Sequence, residues 1–166
     1  MQVLSEPDAA ARFDRIVARE VPGRRGLEAW SALLRAHATL LRQLETDLES
    51  KTGLVLADYD VLAQLAIAGG SLRMTELADR ALISRSGMTR RVARLVHEGL
   101  VRRAHAQADA RGVVVLLTDS GLNRLTVAAP VHLRGVSELF IANLDDQELA
   151  VLESALAKVT IDCTFG

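Results

Sequence analysis

The stretch from Glu76 to Thr118, ELADRALISRSGMTRRVARLVHEGLVRRAHAQADARGVVVLLT, decides the fold. It reads as a short helix, a tight turn, a second helix carrying arginines, and two strands joined by a charged tip. From Ser84 to Glu98, steps of about 100° per residue put Met88, Val92, Leu95 and Val96 on one side, the stripe of a helix pressed onto a core. Ser86, Arg90, Ala93, Arg94 and His97 then face away, with Arg85 and Arg91 on the flanks. Ser84 is suited to cap the first turn through its hydroxyl, and Gly99 to end the helix. The order helix, turn, helix, hairpin is that of a winged helix-turn-helix.

The outer face of that second helix suits a major groove. Ser86, Gly87 and Ala93 are small enough for close approach, and Arg90 can reach the acceptors of a guanine edge. The bland alternative is a solvated charged face. Val113 to Leu117 is β-branched and apolar, bounded by Gly112 and Thr118, and pairs in expectation with Leu100 to Ala106. The tip between them, residues 107–112, holds Asp109 two places before Arg111. An arginine there can lie in a narrow minor groove with Asp109 steadying it; the alternative is an ordinary exposed turn pair. Residues 84–111 contain Arg85, Arg90, Arg91, Arg94, Arg102, Arg103 and Arg111 against Glu98 and Asp109, a local balance of +5 in a chain of −1, so the remainder carries −6. Asymmetry of this kind, rather than net charge, points to nucleic acid.

These residues resemble the MarR family of bacterial transcription regulators. The resemblance rests on Arg73-Met74-Thr75-Glu76-Leu77-Ala78, Ser84 to Arg90 with Arg94-Leu95, Glu98 to Arg103, Asp109 with Arg111, and Leu117-Thr118 with Gly121. It covers roughly residues 27–159. One position departs: the family tip is often Asp-Arg-Arg, and Ala110 stands in the middle here. The resemblance implies a mainly α protein with a small β-hairpin wing (α+β), a winged lobe framed by N- and C-terminal dimerisation helices. It implies a homodimer on double-stranded DNA, a ligand-responsive repressor of a pseudo-palindromic operator. Thr75, Ser84, Arg85, Ser86, Thr89, Arg90, Arg91, Arg94, Asp109 and Arg111 would contact the duplex. Effectors such as aromatic acids bind relatives in a crevice between frame and lobe, which makes Trp30, Arg35 and His37 candidate pocket residues. A core aromatic and a satisfied histidine at the dimer seam is the other reading of Trp30 and His37.

The rest of the chain supplies the frame. Residues 1–53 hold a helix opened by Glu6-Pro7-Asp8 and running on from Ala9 to Glu20, a break at Val21 to Gly26, and a long helix from Leu27 to Thr52 with Trp30, Leu33, Leu34, Ala38, Leu41, Leu44 and Leu48 recurring at threes and fours. A helix of that length needs more partner surface than one small lobe offers. Residues 54–118 form the lobe: Leu56 to Ala68 is a helix with Asp58 near its positive end, Ser71 to Arg73 a minor third strand, and Thr75 the cap of the first recognition-motif helix. Residues 119–166 hold a helix to about Ala142, with Leu122, Leu125, His132 and Leu133 near one face, and a last helix opened by Asp145 and Glu148 as a capping box.

At 166 residues the chain suits one compact domain, or a small domain framed by a dimerisation layer, and its richness in Ala, Leu and Arg with 3% aromatics suggests a mostly helical protein. A lone Cys163 fits a reducing cytoplasm and reads as a bystander. No apolar run is expected to span a membrane, and no signal-peptide pattern opens the chain. Phosphate loops, nucleophile elbows and Cys-x-x-Cys pairs are absent from the sequence, and His37, His97, His105 and His132 are scattered, so neither a metal, a cofactor nor an enzyme is expected. The reading from a different class is a winged helix used as a protein-interaction module.

Overall fold

The computed structural model describes residues 6–21, 23–106 and 109–160; the side chains of residues 6–8 and 105–111 lie outside that description, as does Cys163. The chain divides into two compact units, residues 1–42 and 43–166.

The first unit contains α1 (Glu6–Glu20) and the greater part of α2 (Arg24–Thr52). The helix break is narrower than the sequence suggests. Gly23, at φ 89°, takes the left-handed conformation that a side chain disfavours, and Gly26 is absorbed into the first turn of α2. Phe13 and Ile16 on α1 and Trp30, Leu33, Leu34 and Leu41 on α2 are all exposed, Phe13 to 65% and Trp30 to 56%. An open groove of about 770 Å³ runs beside Phe13, Val17, Leu27 and Arg35.

The second unit begins with the end of α2, where Leu44 and Leu48 are buried. There follow α3 (Leu56–Ile67), β1 (Ser71–Arg73), α4 (Met74–Arg80), α5 (Arg85–His97), β2 (Val101–Ala106), β3 (Asp109–Leu117), α6 (Asp119–Leu139), a 3₁₀ turn (Ile141–Asn143) and α7 (Asp146–Thr160). The protein is thus mainly helical with one antiparallel sheet in the order β1-β3-β2. Ser71 to Arg73 pairs with Leu116 to Val114, the minor strand expected from sequence.

The core is the seam where α3, α4, α5 and the sheet meet. Leu62, Leu65, Leu77, Met88, Val92, Leu95 and Val115 are fully enclosed there. Each such side chain contributes about 1.5–3 kcal/mol by leaving water. The α5 stripe is narrower than predicted, since Val96 remains 38% exposed.

Two junctions fix how the lobe meets α6. At the end of α5, Gly99 (φ 73°) lets its own N–H reach the Val96 carbonyl and the Leu100 N–H reach the Leu95 carbonyl, the paired bonds of a Schellman motif. Thr118 then caps α6 by accepting from the Gly121 N–H at 3.0 Å, while its hydroxyl lies 2.7 Å from the Gly99 carbonyl and 2.9 Å from that of Leu100. A Cβ on Gly121 would stand 2.0 Å from the Leu100 carbonyl oxygen, so only glycine fits. Further along, Gly135 admits Leu44, whose Cδ2 would be 2.7 Å from an added Cβ.

The predicted apolar face of α6 divides in two. Leu125 and Ala128 are buried, whereas Leu122, Val127 and Leu133 are exposed. Asp119–Asn143 is long and apolar enough by length and composition to cross a membrane, contrary to the expectation that no run approaches a span. Its packing against α3 explains part of that apolarity. The capping box forms as read: Asp145 accepts from the Glu148 N–H at 2.8 Å and Glu148 accepts from the Asp145 N–H at 3.0 Å. Yet α7 buries no residue.

Where α3 meets α6, the rings of Tyr59 and His132 lie 4.4 Å apart, and His132 Nδ1 is buried without a hydrogen-bond partner among the described residues. Burial holds the His132 imidazole below its ordinary value near 6.5, opposed by the nearby Asp60 carboxylate. Asp60 is itself pushed up by burial, against the pull of His132 and Arg91. A depressed histidine contributes stability that is present above its ordinary value and lost as pH falls through the folded one. The raised Asp60 acts oppositely, its contribution being lost as pH rises through its folded value. The melting temperature of His132→Phe should therefore fall less than that of the parent between about pH 7 and pH 5. Parallel thermal melts check this; equal slopes would remove His132 from the account.

Candidate nucleic-acid interface

A helix can read a groove only if one side is fixed to its own core and the other left clear. The fixing of α5 begins at its first turn. Ser84 Oγ accepts from the Gly87 N–H at 3.2 Å, the predicted cap. Gly87 is tightly enclosed: an added Cβ would lie 3.0 Å from both Ile83 Cγ2 and Ser84 Oγ. The turn from α4 is made by Leu82, which at φ 54° occupies the left-handed region without being glycine. It closes α4 with bonds from the Leu82 N–H to Asp79 and from the Ile83 N–H to Ala78. Such a conformation costs a side-chain-bearing residue on the order of 1 kcal/mol.

Thr75 does not cap α4. The helix starts one residue earlier, and the Glu76 carboxylate accepts from the Arg73 N–H at 3.1 Å instead. Thr75 is exposed, its hydroxyl at the surface beside the motif.

The outward face of α5 carries Ser86, Thr89, Arg90 and Ala93, all exposed. Thr89 Oγ1 donates to the Arg85 carbonyl at 2.9 Å, and Ser86 Oγ lies 3.4 Å from Ser84 Oγ. Arg85 and Arg90 are exposed and make no ion pair among the described residues.

Arg91 and Arg94 behave differently. Asp58, on the first turn of α3, is 4% exposed and is the buried charged residue of the described core. Its Oδ1 accepts from Arg91 Nη1 at 2.8 Å and its Oδ2 from Arg94 Nη2. The bond to Asp58 holds the Arg94 guanidinium still higher than usual, with Glu98 adding a weaker pull at 4.0 Å. On the other flank, Arg103 Nη2 from β2 donates to the Thr89 carbonyl at 3.1 Å. Sequence reasoning gave Asp58 only a helix-dipole role. The missed signal was its position: Asp58, Leu62 and Leu65 follow the i, i+4, i+7 spacing of one stripe, and an acid on a core stripe needs a cation.

The wing differs from expectation at its tip. Pairing between β2 and β3 steps from His105↔Val113 to Ala106↔Asp109, so Ala110, Arg111 and Gly112 are extra residues on β3. Asp109 to Arg111 therefore belongs to a bulged strand rather than to the turn. The side chains of Asp109 and Arg111, and Gln107 and Ala108 entirely, lie outside the described residues.

The effector candidates are not gathered in one place. Arg35 lines the groove of the first unit, whereas Trp30 and His37 are exposed and do not line it. Among the described residues no cluster of His, Cys, Asp or Glu is assembled that could hold a metal.

Comparison with known proteins agrees with this geometry. Residues 52–112 match the model of the MarR family. The transcriptional regulator HosA of Escherichia coli O157:H7 is 34% identical over 95 residues, 56% of this chain and 69% of HosA. The structure of Sco3205, a MarR family transcriptional regulator from Streptomyces coelicolor in complex with DNA, is 31% identical, covers 84% of this chain and 91% of its own, and superposes with a TM-score of 0.79. The chain belongs to the MarR family. It is a winged helix-turn-helix transcriptional regulator. A MepR-like protein complexed with pseudoligands is 27% identical with a TM-score of 0.63, covering 82% of this chain and 95% of its own.

Within this family member the α5 cap is open to direct test. Ser84→Ala should cost about 1 kcal/mol of stability, read as a lower denaturant midpoint with an unchanged slope. An unaltered midpoint would mean that the Gly87 N–H is served as well by water.

Proposed function

We propose that the protein is a homodimeric, ligand-responsive MarR-family repressor of the cytoplasm that binds a pseudo-palindromic operator. One observation carries the DNA part: small, uncharged residues of α5 (Ser86, Thr89, Ala93) lie beside Arg90, which is exposed and makes no ion pair among the described residues, while both flanks of the helix are tied to the lobe. Arg90, Ser86 and Thr89 serve the major groove. Thr75, Ser84 and Arg85 lie where the first turn of the motif meets phosphate. Arg91 and Arg94 take the groove edge, and Arg111 with Asp109 the minor groove beside the wing.

Support for the dimer comes from apolar surface without cover. Trp30, Leu33 and Leu34 on α2, Leu133 on α6 and Val151 on α7 are exposed. Apolar surface in such amount marks an association face. A two-fold dimer would set two recognition helices about 34 Å apart, one turn of DNA. A small aromatic acid is the effector class proposed, with Trp30, Arg35 and His37 as its candidate residues; the MepR-like relative with pseudoligands supports a ligand-responsive reading. Such a ligand weakens DNA binding only by preferring the form that misfits the operator.

Salt titration tests the DNA reading. Each neutralised phosphate contributes about −0.9 to the slope of log K against log salt, so affinity should fall steeply. An affinity flat in salt would favour the protein-interaction reading. Arg90→Ala should cost about 1–3 kcal/mol and relax preference at one base position in a mixed-sequence selection; an unchanged preference would remove Arg90 from base reading. Leu33→Asp with Leu133→Asp should yield monomers by sedimentation and abolish tight operator binding, and a persistent dimer would place the interface elsewhere.

A further inference from the structure

We propose that Asp58 is a positioning residue for sequence discrimination: without touching DNA, it sets the roll of the recognition helix by holding Arg91 and Arg94. This rests on the DNA reading above.

The enclosed stripe of α5, Met88, Val92 and Leu95, keeps the helix against the core, but apolar contacts are not directional and restrain rotation about the axis weakly. Directional bonds come from the flanks. Arg91 and Arg94, one turn apart, converge on the two oxygens of one carboxylate, and Arg103 bonds the Thr89 carbonyl on the opposite flank. The helix is thus tethered on both sides of its buried stripe. Arg91 is the more enclosed tether, its side chain 26% exposed and its Nε buried without an acceptor among the described residues. Arg94 is 48% exposed. Its guanidinium is held by Asp58 while about half of the side chain stays exposed, so less freedom is lost if it meets a phosphate.

Charge and position predict opposite outcomes when Asp58 is neutralised. Removing a negative charge near the duplex strengthens binding to any DNA. Releasing the tethers lets α5 roll, which misplaces Arg90 and Ser86 against base edges and penalises only the preferred sequence.

The test uses the full chain, a duplex enriched by the parent protein from a random-sequence library, and an unselected duplex of equal length. In Asp58→Asn the ratio of the two affinities should fall tenfold or more, while affinity for the unselected duplex holds or rises. Arg94→Gln should weaken binding to both duplexes by its lost phosphate contact and lower the ratio less, and adding it to Asp58→Asn should lower the ratio no further. A parallel fall on both duplexes, tracking the folded fraction in thermal melts, would reduce Asp58 to a structural residue and overturn the proposal. So would an unchanged ratio or additive losses in the ratio. Should Asp58→Asn not fold, Arg94→Gln decides together with the guanidinium N–H resonances of the parent: freely rotating Arg91 and Arg94 groups overturn the tether. If the parent enriches no duplex, the DNA reading and the positioning role fall together, whereas enrichment with an unchanged ratio removes only the latter.

Discussion

A carboxylate enclosed between helices must be met by positive charge, and that requirement organises the lobe. Asp58 sits on the buried stripe of α3, where an isolated charge would be too costly to keep. Arg91 and Arg94 answer it from a helix more than thirty residues away in sequence. Burying such a group adds little net stability, but removing one partner typically costs about 3–5 kcal/mol, because the other is left stranded. The arrangement therefore narrows the permitted placements of α5 on α3 rather than deepening the core.

Much of the lobe was legible in the sequence because its signals are local. Ser84 and Gly99 bound α5, Thr118 and Asp145 open α6 and α7, and the β-branched run from Val113 found its partners on both sides. The caps among those outcomes are each decided within a few residues, and the strand itself by its own β-branched run. The start of α4 was misplaced because a glutamate one turn ahead can satisfy a backbone N–H as well as a threonine cap can. The role of Asp58 was hidden for a different reason. Its partners arrive through tertiary packing, and a charge near a helix start already has a sufficient local explanation in the dipole. Likewise Arg94 shares the outward side of the helical wheel with Arg90 and Arg91 stands on its flank, and only the neighbouring helix shows that both are held by one carboxylate.

The frame presents the reverse case. Its periodicity was plain, and the structure returns the helices, yet the apolar faces of α2, α6 and α7 stay largely uncovered. The α7 stripe of Leu149, Leu152 and Leu156 is at most half-buried among the described residues. The apolar length of α6 divides in the same way: Leu125 and Ala128 are buried, while Leu122, Val127 and Leu133 are exposed among the described residues.

Thr118 joins two parts of the lobe that sequence alone treats as separate. Its hydroxyl sits against the carbonyls just beyond α5, its oxygen begins α6, and Gly121 brings the two backbones to contact. No slack remains at that rivet. A tilt of α6 cannot be taken up by a flexible link there, so it is handed on to the trailing end of α5, and the fulcrum of any such rocking lies beside Leu100.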